Sequence, residues 1–314
     1  MNMEPLRLGS RKSPMAVSQS GDVARLITER TGRQVELVGV TTLGDVSREH
    51  MSQIGGTGVF VSALRESLLR GEVDFAVHSL KDLPTGAAPG ITLAAIPARD
   101  DPRDALVARD AAKLADLPPG ARIGTGSPRR AAQLLGLRAD LRCVPIRGNA
   151  GTRLGKVSEG ELDAVVLAYA GLARIGHVGA ITQVFEPDEM LPAPGQGALA
   201  VECRADDTEL AALLQAVTDE ASVAAVTAER SLLEALEAGC SAPIGAYAAG
   251  TARLRMQAAV MSPDGSRVLR AHGDAVTAGA WQLGRDLAAQ LLRAGAADLI
   301  CGSEGQANSR NDAQ

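Results

Sequence analysis

The segment just before Pro84 carries the residues best suited to chemistry in this chain. The apolar run at residues 75–78 is typical of a buried strand, and it leads directly into Ser79, Lys81 and Asp82. In α/β proteins, ligands bind beyond the carboxyl ends of parallel strands, so Asp82 is the first candidate for a catalytic carboxylate. The alternative is that Lys81 and Asp82 are solvated charges in a surface loop, where such residues are common.

Arginines recur where predicted strands give way to helices. Backbone N–H groups and the helix dipole favour anions at such places, and a guanidinium binds carboxylate or phosphate through two parallel hydrogen bonds. A set of these cations predicts a ligand with several anionic groups, whereas surface salt bridges are the alternative for any single arginine. The cationic and neighbouring loop positions are Arg7, Arg11, Ser13, Thr125, Ser127, Arg129, Arg130, Arg147, Gly148, Arg153 and Arg174.

Cys240 differs from the other three cysteines in its surroundings. It follows a predicted long helix, and the small residues at 238–245 would let other groups approach its sulfur closely. It has no obvious histidine partner, which argues against a Cys–His protease, and a buried structural cysteine is the alternative. Four cysteines without clustered spacing also argue against a disulfide framework or a zinc site, so no metal is predicted.

Bulk composition is that of an ordinary globular protein, with 46% hydrophobic and 22% charged residues among 314. This length suggests two or three domains. The net charge of −5 argues against a nucleic-acid partner, and no apolar run approaches the ~18 residues of a membrane span. The glycine loop at 55–58 matches no nucleotide-binding motif. We expect a reducing cytoplasm, because the N-terminus shows no apolar signal region.

The order of predicted elements indicates an α/β fold. Strand-like runs such as residues 35–41 alternate with helical segments such as 59–70, which predicts mostly parallel sheets covered by helices. Residues 100–102 and 191–197 are typical of crossings between two such sheets. After about residue 219 the pattern changes to a long helix, short strands and a final helix. This change predicts a small C-terminal α+β domain with an antiparallel sheet.

These elements predict two α/β lobes followed by the C-terminal domain. The first lobe is discontinuous and comprises residues 1–98 and 198–217, and the second lobe comprises residues 99–197. The C-terminal domain spans residues 218–302. Residues 303–314 are polar, and we expect them to form a disordered tail.

Six motifs in this chain together resemble the porphobilinogen deaminase family, also called hydroxymethylbilane synthase. Any one of them is weak, but six in the same order, with a cysteine in the corresponding place, are highly specific. The resemblance covers about residues 5–300. The motifs are residues 7–14 (RLGSRKSP), 77–84 (VHSLKDLP), 124–130 (GTGSPRR), 147–154 (RGNAGTRL), 194–198 (PGQGA) and 239–245 (GCSAPIG).

The resemblance implies a three-domain enzyme whose first two lobes are similar to periplasmic binding proteins. Cys240, in the third domain, would hold a dipyrromethane cofactor through a thioether. The enzyme would add four units of the small molecule porphobilinogen head to tail, with loss of ammonia at each step. It would then release hydroxymethylbilane for tetrapyrrole (haem and porphyrin) biosynthesis, and it would act as a monomer.

The resemblance also implies a role for each candidate residue. Asp82 would stabilise the cationic azafulvene that loss of ammonia leaves, and would help to move protons. The cofactor-binding residues would be Cys240, Lys81, Ser79, Thr125, Ser127, Arg129, Arg130, Arg147 and Gly148. The substrate-binding residues would be Arg7, Arg11, Ser13, Arg153, Arg174, Phe60 and Gln196, with Phe60 stacked on a pyrrole ring.

The chain departs from the family pattern around the glycine loop, where Gln53, Thr57 and Ser62 stand in place of common lysines. The main alternative from another class is a non-catalytic receptor for a polycarboxylate or oxyanion. The lack of an export signal and the extra domain with Cys240 argue against a receptor.

Overall fold

The computed structural model describes residues 4–40, 58–237 and 242–300. The chain divides into two compact units, Met1–Asp100 with Gly197–Val223 and Asp101–Gln196 with Ala224–Gln314. The second unit contains both the second α/β sheet and the C-terminal sheet, and the three-domain division stays a prediction. The predicted tail at 303–314 lies outside the described residues.

Strands and helices alternate along most of the described chain. The strands are β1 (Leu6–Ser10), β2 (Val35–Gly39), β3 (Phe75–Ser79), β4 (Ile91–Ala95), β5 (Asp104–Ala108), β6 (Arg122–Gly124), β7 (Arg142–Val144), β8 (Ala164–Ala168), β9 (Gln183–Phe185), β10 (Leu199–Arg204), β11 (Ile244–Ala249), β12 (Arg253–Met261) and β13 (Val268–Val276). The α-helices are α1 (Pro14–Thr31), α2 (Gly58–Leu69), α3 (Pro128–Leu137), α4 (Ala150–Ser158), α5 (Tyr169–Arg174), α6 (Thr208–Leu214), α7 (Glu220–Ala235) and α8 (Ala280–Arg293).

The first unit is built on a five-stranded sheet with the order β2-β1-β3-β10-β4. Strand β1 runs parallel to β2 and β3, while β10 runs antiparallel to β3 and β4. Phe75 and Val77 of β3 pack in one core cluster with Ile27 of α1. Ala76 packs in a second cluster with Leu64 of α2. Alternate residues of β3 therefore enter two different cores, as expected for a sheet covered on both faces.

The second unit contains a five-stranded sheet with a similar arrangement, in the order β7-β6-β8-β5-β9. Strand β6 runs parallel to β7 and β8, and β5 runs antiparallel to β8 and β9. Ile123 and Val166 belong to one core cluster of this sheet, and Val165 and Leu167 belong to another. Both faces are therefore covered here as well.

A three-stranded antiparallel sheet, β11-β12-β13, follows in the same unit. Its core is formed by residues such as Leu254 and Met256 of β12, Leu232 of α7 and Leu287 of α8. The predicted α/β class and the C-terminal antiparallel sheet are thus confirmed.

The expectation of mostly parallel sheets is wrong in detail, because both large sheets are mixed. Strand β10 lies between β3 and β4 but is antiparallel to each. It follows residues 101–196, which belong to the other compact unit. A strand that arrives by so long a connection is not bound by the crossover that keeps β-α-β neighbours parallel.

Within residues 4–40, 58–237 and 242–300, no single helix has the length and apolar character needed to cross a membrane. Two consecutive helical stretches, Thr208–Val217 and Glu220–Ala235, meet those limits only when they are taken together, and they are bent by 105°.

Candidate active site

Asp82 lies on a short turn that is anchored in the core of the first unit. Strand β3 ends at Ser79 and continues without a break into a single 3₁₀ turn, Leu80–Asp82. The Leu80 side chain is fully buried and Leu83 is nearly so, while Lys81 and Asp82 are half-buried. The backbone N–H of Leu80 donates to the Ala198 carbonyl at 3.0 Å. The two apolar anchors therefore hold Lys81 and Asp82 at the carboxyl end of β3.

Arg11 and Ser13 lie at the same edge of this sheet. The parallel register pairs Leu8 of β1 with Phe75 of β3, so both strands end at one edge. Ser13 caps α1 and accepts a hydrogen bond from the Ala16 N–H at 3.3 Å, as N-cap serines do. Arg11 stands between the strand and this cap. The structure therefore brings Arg11 and Ser13 to the edge that carries Asp82.

Ser79 is held by a residue that the sequence interpretation missed. The buried Gln19 side chain of α1 donates from Nε2 to Ser79 Oγ at 3.0 Å. This bond joins α1 to the last residue of β3. A single glutamine inside a helix gives no signal of such a role in the sequence.

Arg7 lies near the amino end of β3, whereas Asp82 follows the carboxyl end of that strand. Its Nη2 donates to Asp74 Oδ1 at 2.7 Å, and its Nη1 donates to the Glu72 carbonyl at 3.0 Å. Burial acts to raise the pKa of Asp74, but the hydrogen bonds and charge of Arg7 lower it overall. Because Asp74 precedes β3 and Asp82 follows it, the structure does not bring Arg7 together with Asp82.

In the second unit, Thr125 and Ser127 form the link between β6 and α3. The Thr125 N–H donates to the Val144 carbonyl at 3.0 Å, and Ser127 caps α3. A Cβ atom at Gly126 would come within 2.8 Å of the Ile146 carbonyl oxygen. Only a glycine allows this approach, so the loop after β6 and the loop after β7 lie directly against each other.

The loop after β7 carries Arg147, Gly148 and Arg153. Arg147 is exposed, and Gly148 has a φ of 103°, which favours glycine. Arg153 Nε donates to the Gly148 carbonyl at 2.9 Å. Arg174 is half-buried at the end of α5, the helix that follows β8. The cationic positions of this unit thus follow β6, β7 and β8, which are parallel neighbours.

Arg129 and Arg130 are buried, and both contact one carboxylate. Asp104, which begins β5 and is fully buried, accepts from Arg129 Nη1 at 2.7 Å and from Arg130 Nη2 at 2.7 Å. Gln196 Nε2 donates to the same carboxylate at 2.8 Å, and Gln196 is itself almost completely buried. We call Asp104, Arg129, Arg130 and Gln196 the Asp104 cluster.

The Asp104 cluster carries an excess of positive charge. Burial alone would raise the pKa of Asp104, but the charges of Arg129 and Arg130 lower it far below its ordinary value. One ionised carboxylate therefore faces two guanidinium groups. Burial and the charge of Arg130 also lower the pKa of Arg153, a third cation of this region.

Buried charge without a counter-charge is costly, so a region with this excess favours anionic ligand groups. Arg129 Nε is buried and has no hydrogen-bond partner among the described residues. The ligands that the family resemblance implies carry acetate and propionate groups, and the surplus cations fit such carboxylates.

Asp104 is the residue of this region that the sequence interpretation missed. The predicted strand began at residue 105, and Asp104 stood beside the acidic residues of the crossing at 100–102. A single acidic residue at the start of the apolar strand Asp104–Ala108 was the available signal, because an aspartate is seldom fully buried unless it is paired.

Several predicted positions have no described side chain. Cys240, Gln53 and Thr57 lie outside the described residues. Phe60 lies in the first turn of α2, and Ser62 is exposed on the same helix. No group of three or more His, Cys, Asp or Glu side chains within the described ranges could hold a metal ion.

The fold is that of an α/β protein on two similar mixed sheets, with cationic and hydroxyl side chains at the carboxyl ends of parallel strands. Two family models match the chain: "Porphobilinogen deaminase, dipyromethane cofactor binding domain" over residues 6–212 and "Porphobilinogen deaminase, C-terminal domain" over residues 223–293. The chain belongs to the porphobilinogen deaminase family.

Curated relatives agree over nearly the whole chain. It is 60% identical to the porphobilinogen deaminase of Thermobifida fusca over 311 residues, which cover 96% of this chain and 97% of the relative. It is 55% identical to porphobilinogen deaminase 1 of Streptomyces coelicolor over 314 residues, which cover 96% and 98%. Among solved structures, a periplasmic substrate-binding protein from Coxiella burnetii matches with a TM-score of 0.43 at 16% identity, over 69% of this chain and 94% of that one.

The family assignment confirms several predictions made from the sequence. The chain is a hydroxymethylbilane synthase, a transferase that polymerises porphobilinogen in tetrapyrrole biosynthesis. Its cofactor is dipyrromethane, in agreement with the first family model.

Proposed function

We propose that Asp82 is the catalytic residue of this polymerisation. Loss of ammonia from porphobilinogen leaves a cationic azafulvene, which a pyrrole carbon of the growing chain attacks. A carboxylate beside the pyrrole N–H groups stabilises the cation and accepts or returns a proton. The anchored turn after β3 supports this role, since it presents Asp82 on a rigid support. Lys81 and Ser79, which precede Asp82 on the same strand end and turn, would bind carboxylate and polar groups of the ligand.

The cationic positions would bind the acetate and propionate groups of the pyrroles. The observation that supports carboxylate binding is the excess positive charge around the Asp104 cluster. The donors of Arg130 are already directed to Asp104, Gln196 and the Val166 carbonyl, so Arg130 would act through its charge. Direct binding falls to the remaining positions, which are Arg11, Ser13, Thr125, Ser127, Arg129, Arg147, Gly148, Arg153 and Arg174.

Cys240 would hold the dipyrromethane cofactor through a thioether, and the cations named above would neutralise its carboxylates. When bound, this group supplies the primer on which substrate units are added. Phe60 would contact a pyrrole ring. The buried Gln196 would act through Asp104 and Arg130 and would not itself contact substrate.

We further propose that the enzyme works as a monomer in the cytoplasm, with porphobilinogen as its partner and without nucleic acid. The net charge of −5 supports the absence of a nucleic-acid partner.

The replacement Asp82→Asn tests the central residue, because an amide keeps the shape but lacks the charge. We expect folded protein with at least about a hundredfold lower kcat, within the range that general acid–base groups contribute. Hydroxymethylbilane and released ammonia are the products to be measured. Asp74→Asn is the control, since Asp74 lies at the other end of β3. Near-normal production by Asp82→Asn would refute the role of Asp82.

A further inference from the structure

A buried ionic network lies in the first unit and takes no direct part in the proposed chemistry. Glu202 of β10 is almost fully buried and receives the fork of Arg65, with Nε to Oε2 at 3.0 Å and Nη2 to Oε1 at 2.7 Å. The Nε2 atom of the equally buried His78 lies 3.2 Å from Glu202 Oε2. One carboxylate thus contacts both an arginine and a histidine.

The two partners of Glu202 belong to segments that carry predicted substrate contacts. Arg65 lies on α2, and the first turn of α2 contains Phe60. His78 lies on β3 and directly precedes Ser79 and the turn that carries Asp82. Glu202 itself lies on β10, which pairs with β3. The Glu202 carboxylate therefore links α2, which carries Phe60, to β3, which leads to Ser79 and Asp82.

The chemistry of this contact favours a geometric role over a stabilising one. Burial alone would raise the pKa of Glu202, but His78 and Arg65 lower it to about 2, so the carboxylate is ionised at neutral pH. A buried ion pair is weak support for stability, because apolar residues of similar volume often serve as well or better. A two-point arginine fork does fix the relative position of two elements.

We infer that Glu202 is a positioning residue, which holds α2 and the end of β3 in the register that places Phe60 and Asp82 around the reacting pyrrole. The inference rests on the proposed role of Asp82. A displacement of about 1 Å at a reacting group can lower a rate about a hundredfold. Loss of Glu202 should therefore lower kcat more than it raises KM for porphobilinogen, because most of the proposed carboxylate-binding cations lie on segments other than α2 and the end of β3.

Two variants separate positioning from stability. Glu202→Gln leaves Arg65 with no carboxylate partner in this network, so it should lower both the melting temperature, by about 5 °C or more, and kcat, by about tenfold or more. The double variant Arg65→Met with Glu202→Gln removes both charges and should recover most of the melting temperature. Its kcat should stay about tenfold below that of the unchanged enzyme, because the fork between α2 and β10 is absent.

The control is Glu72→Gln, which removes a similar but exposed fork from Arg70 next to the end of α2. It should leave kcat unchanged. Recovery of kcat together with the melting temperature in the double variant would overturn the inference, as would a wild-type kcat in Glu202→Gln. If Glu202→Gln does not fold, the kcat of the double variant alone tests the inference. Failure of the proposed function is distinguishable, since it would appear as full activity in Asp82→Asn.

Discussion

The replacement Asp104→Asn perturbs the buried Asp104 cluster of the second unit. Asp104 is fully buried and accepts four hydrogen bonds, one from Arg129, two from Arg130 and one from Gln196. Asparagine keeps the volume but removes the charge. It also turns one acceptor into a donor, which would face a guanidinium or the Gln196 amide.

The expected loss of stability is large, because two buried arginines lose their shared counter-charge. Removing one partner of a buried ion pair costs about 3–5 kcal/mol, since the charge left behind is not compensated. We therefore expect the free energy of unfolding at neutral pH to fall by about 3–5 kcal/mol.

The loss of stability should depend on pH, and the direction follows from the lowered pKa of Asp104. The pKa of Asp104 is lowered in the folded state, so the unfolded chain binds a proton more readily at this group. The stabilisation from Asp104 is thus complete above its unfolded pKa of about 4 and is lost as pH falls below that value. The difference between the two proteins should accordingly shrink at low pH.

Urea unfolding followed by circular dichroism measures both effects. Asp140→Asn is the control, because Asp140 also pairs with an arginine, Arg138, but is exposed. It should change stability little. A loss below about 1 kcal/mol for Asp104→Asn at neutral pH, or a difference that grows as the pH falls, would refute this account of the Asp104 cluster.

Three further predictions follow from the placement of single residues. Arg7→Gln should leave kcat and KM within about twofold of the unchanged enzyme, because Arg7 lies at the far edge of the sheet; a large rise in KM would contradict this. Arg153→Gln should raise KM at least about tenfold, since a charged hydrogen bond contributes about 1.5–3 kcal/mol, and steady-state kinetics would show it. Cys143 and Cys203 should resist alkylation at neutral pH in peptide mapping, because burial raises the pKa of each thiol to about 11.

The sequence was sufficient to predict the α/β class and the turn that carries Asp82. Alternation of apolar runs with amphipathic segments is a local signal, and so is a strand that ends in Ser79, Lys81 and Asp82 before Pro84. The N-cap serines Ser13 and Ser127 are equally local, since each precedes a proline at the first helical position.

The direction of β10 and the partners of the arginines could not be predicted in this way. Whether β10 runs parallel or antiparallel to β3 depends on a connection through the other unit, which leaves no mark on its own residues. Arg7 and Arg130 are both predicted to bind anionic ligand groups, yet Arg7 pairs with Asp74 and Arg130 with Asp104. Pairing over such separations is decided by tertiary packing and not by neighbours in the chain.

The intact-protein mass before and after brief exposure to porphobilinogen tests the central claim most directly. Protein from a porphobilinogen-competent host should exceed its sequence mass by one dipyrromethane group, and this excess should be absent in Cys240→Ala. After exposure, species with one to three added pyrrole units should appear, as expected for stepwise growth on the protein. A bare sequence mass with no added units, from enzyme that still produces hydroxymethylbilane, would contradict covalent growth at Cys240.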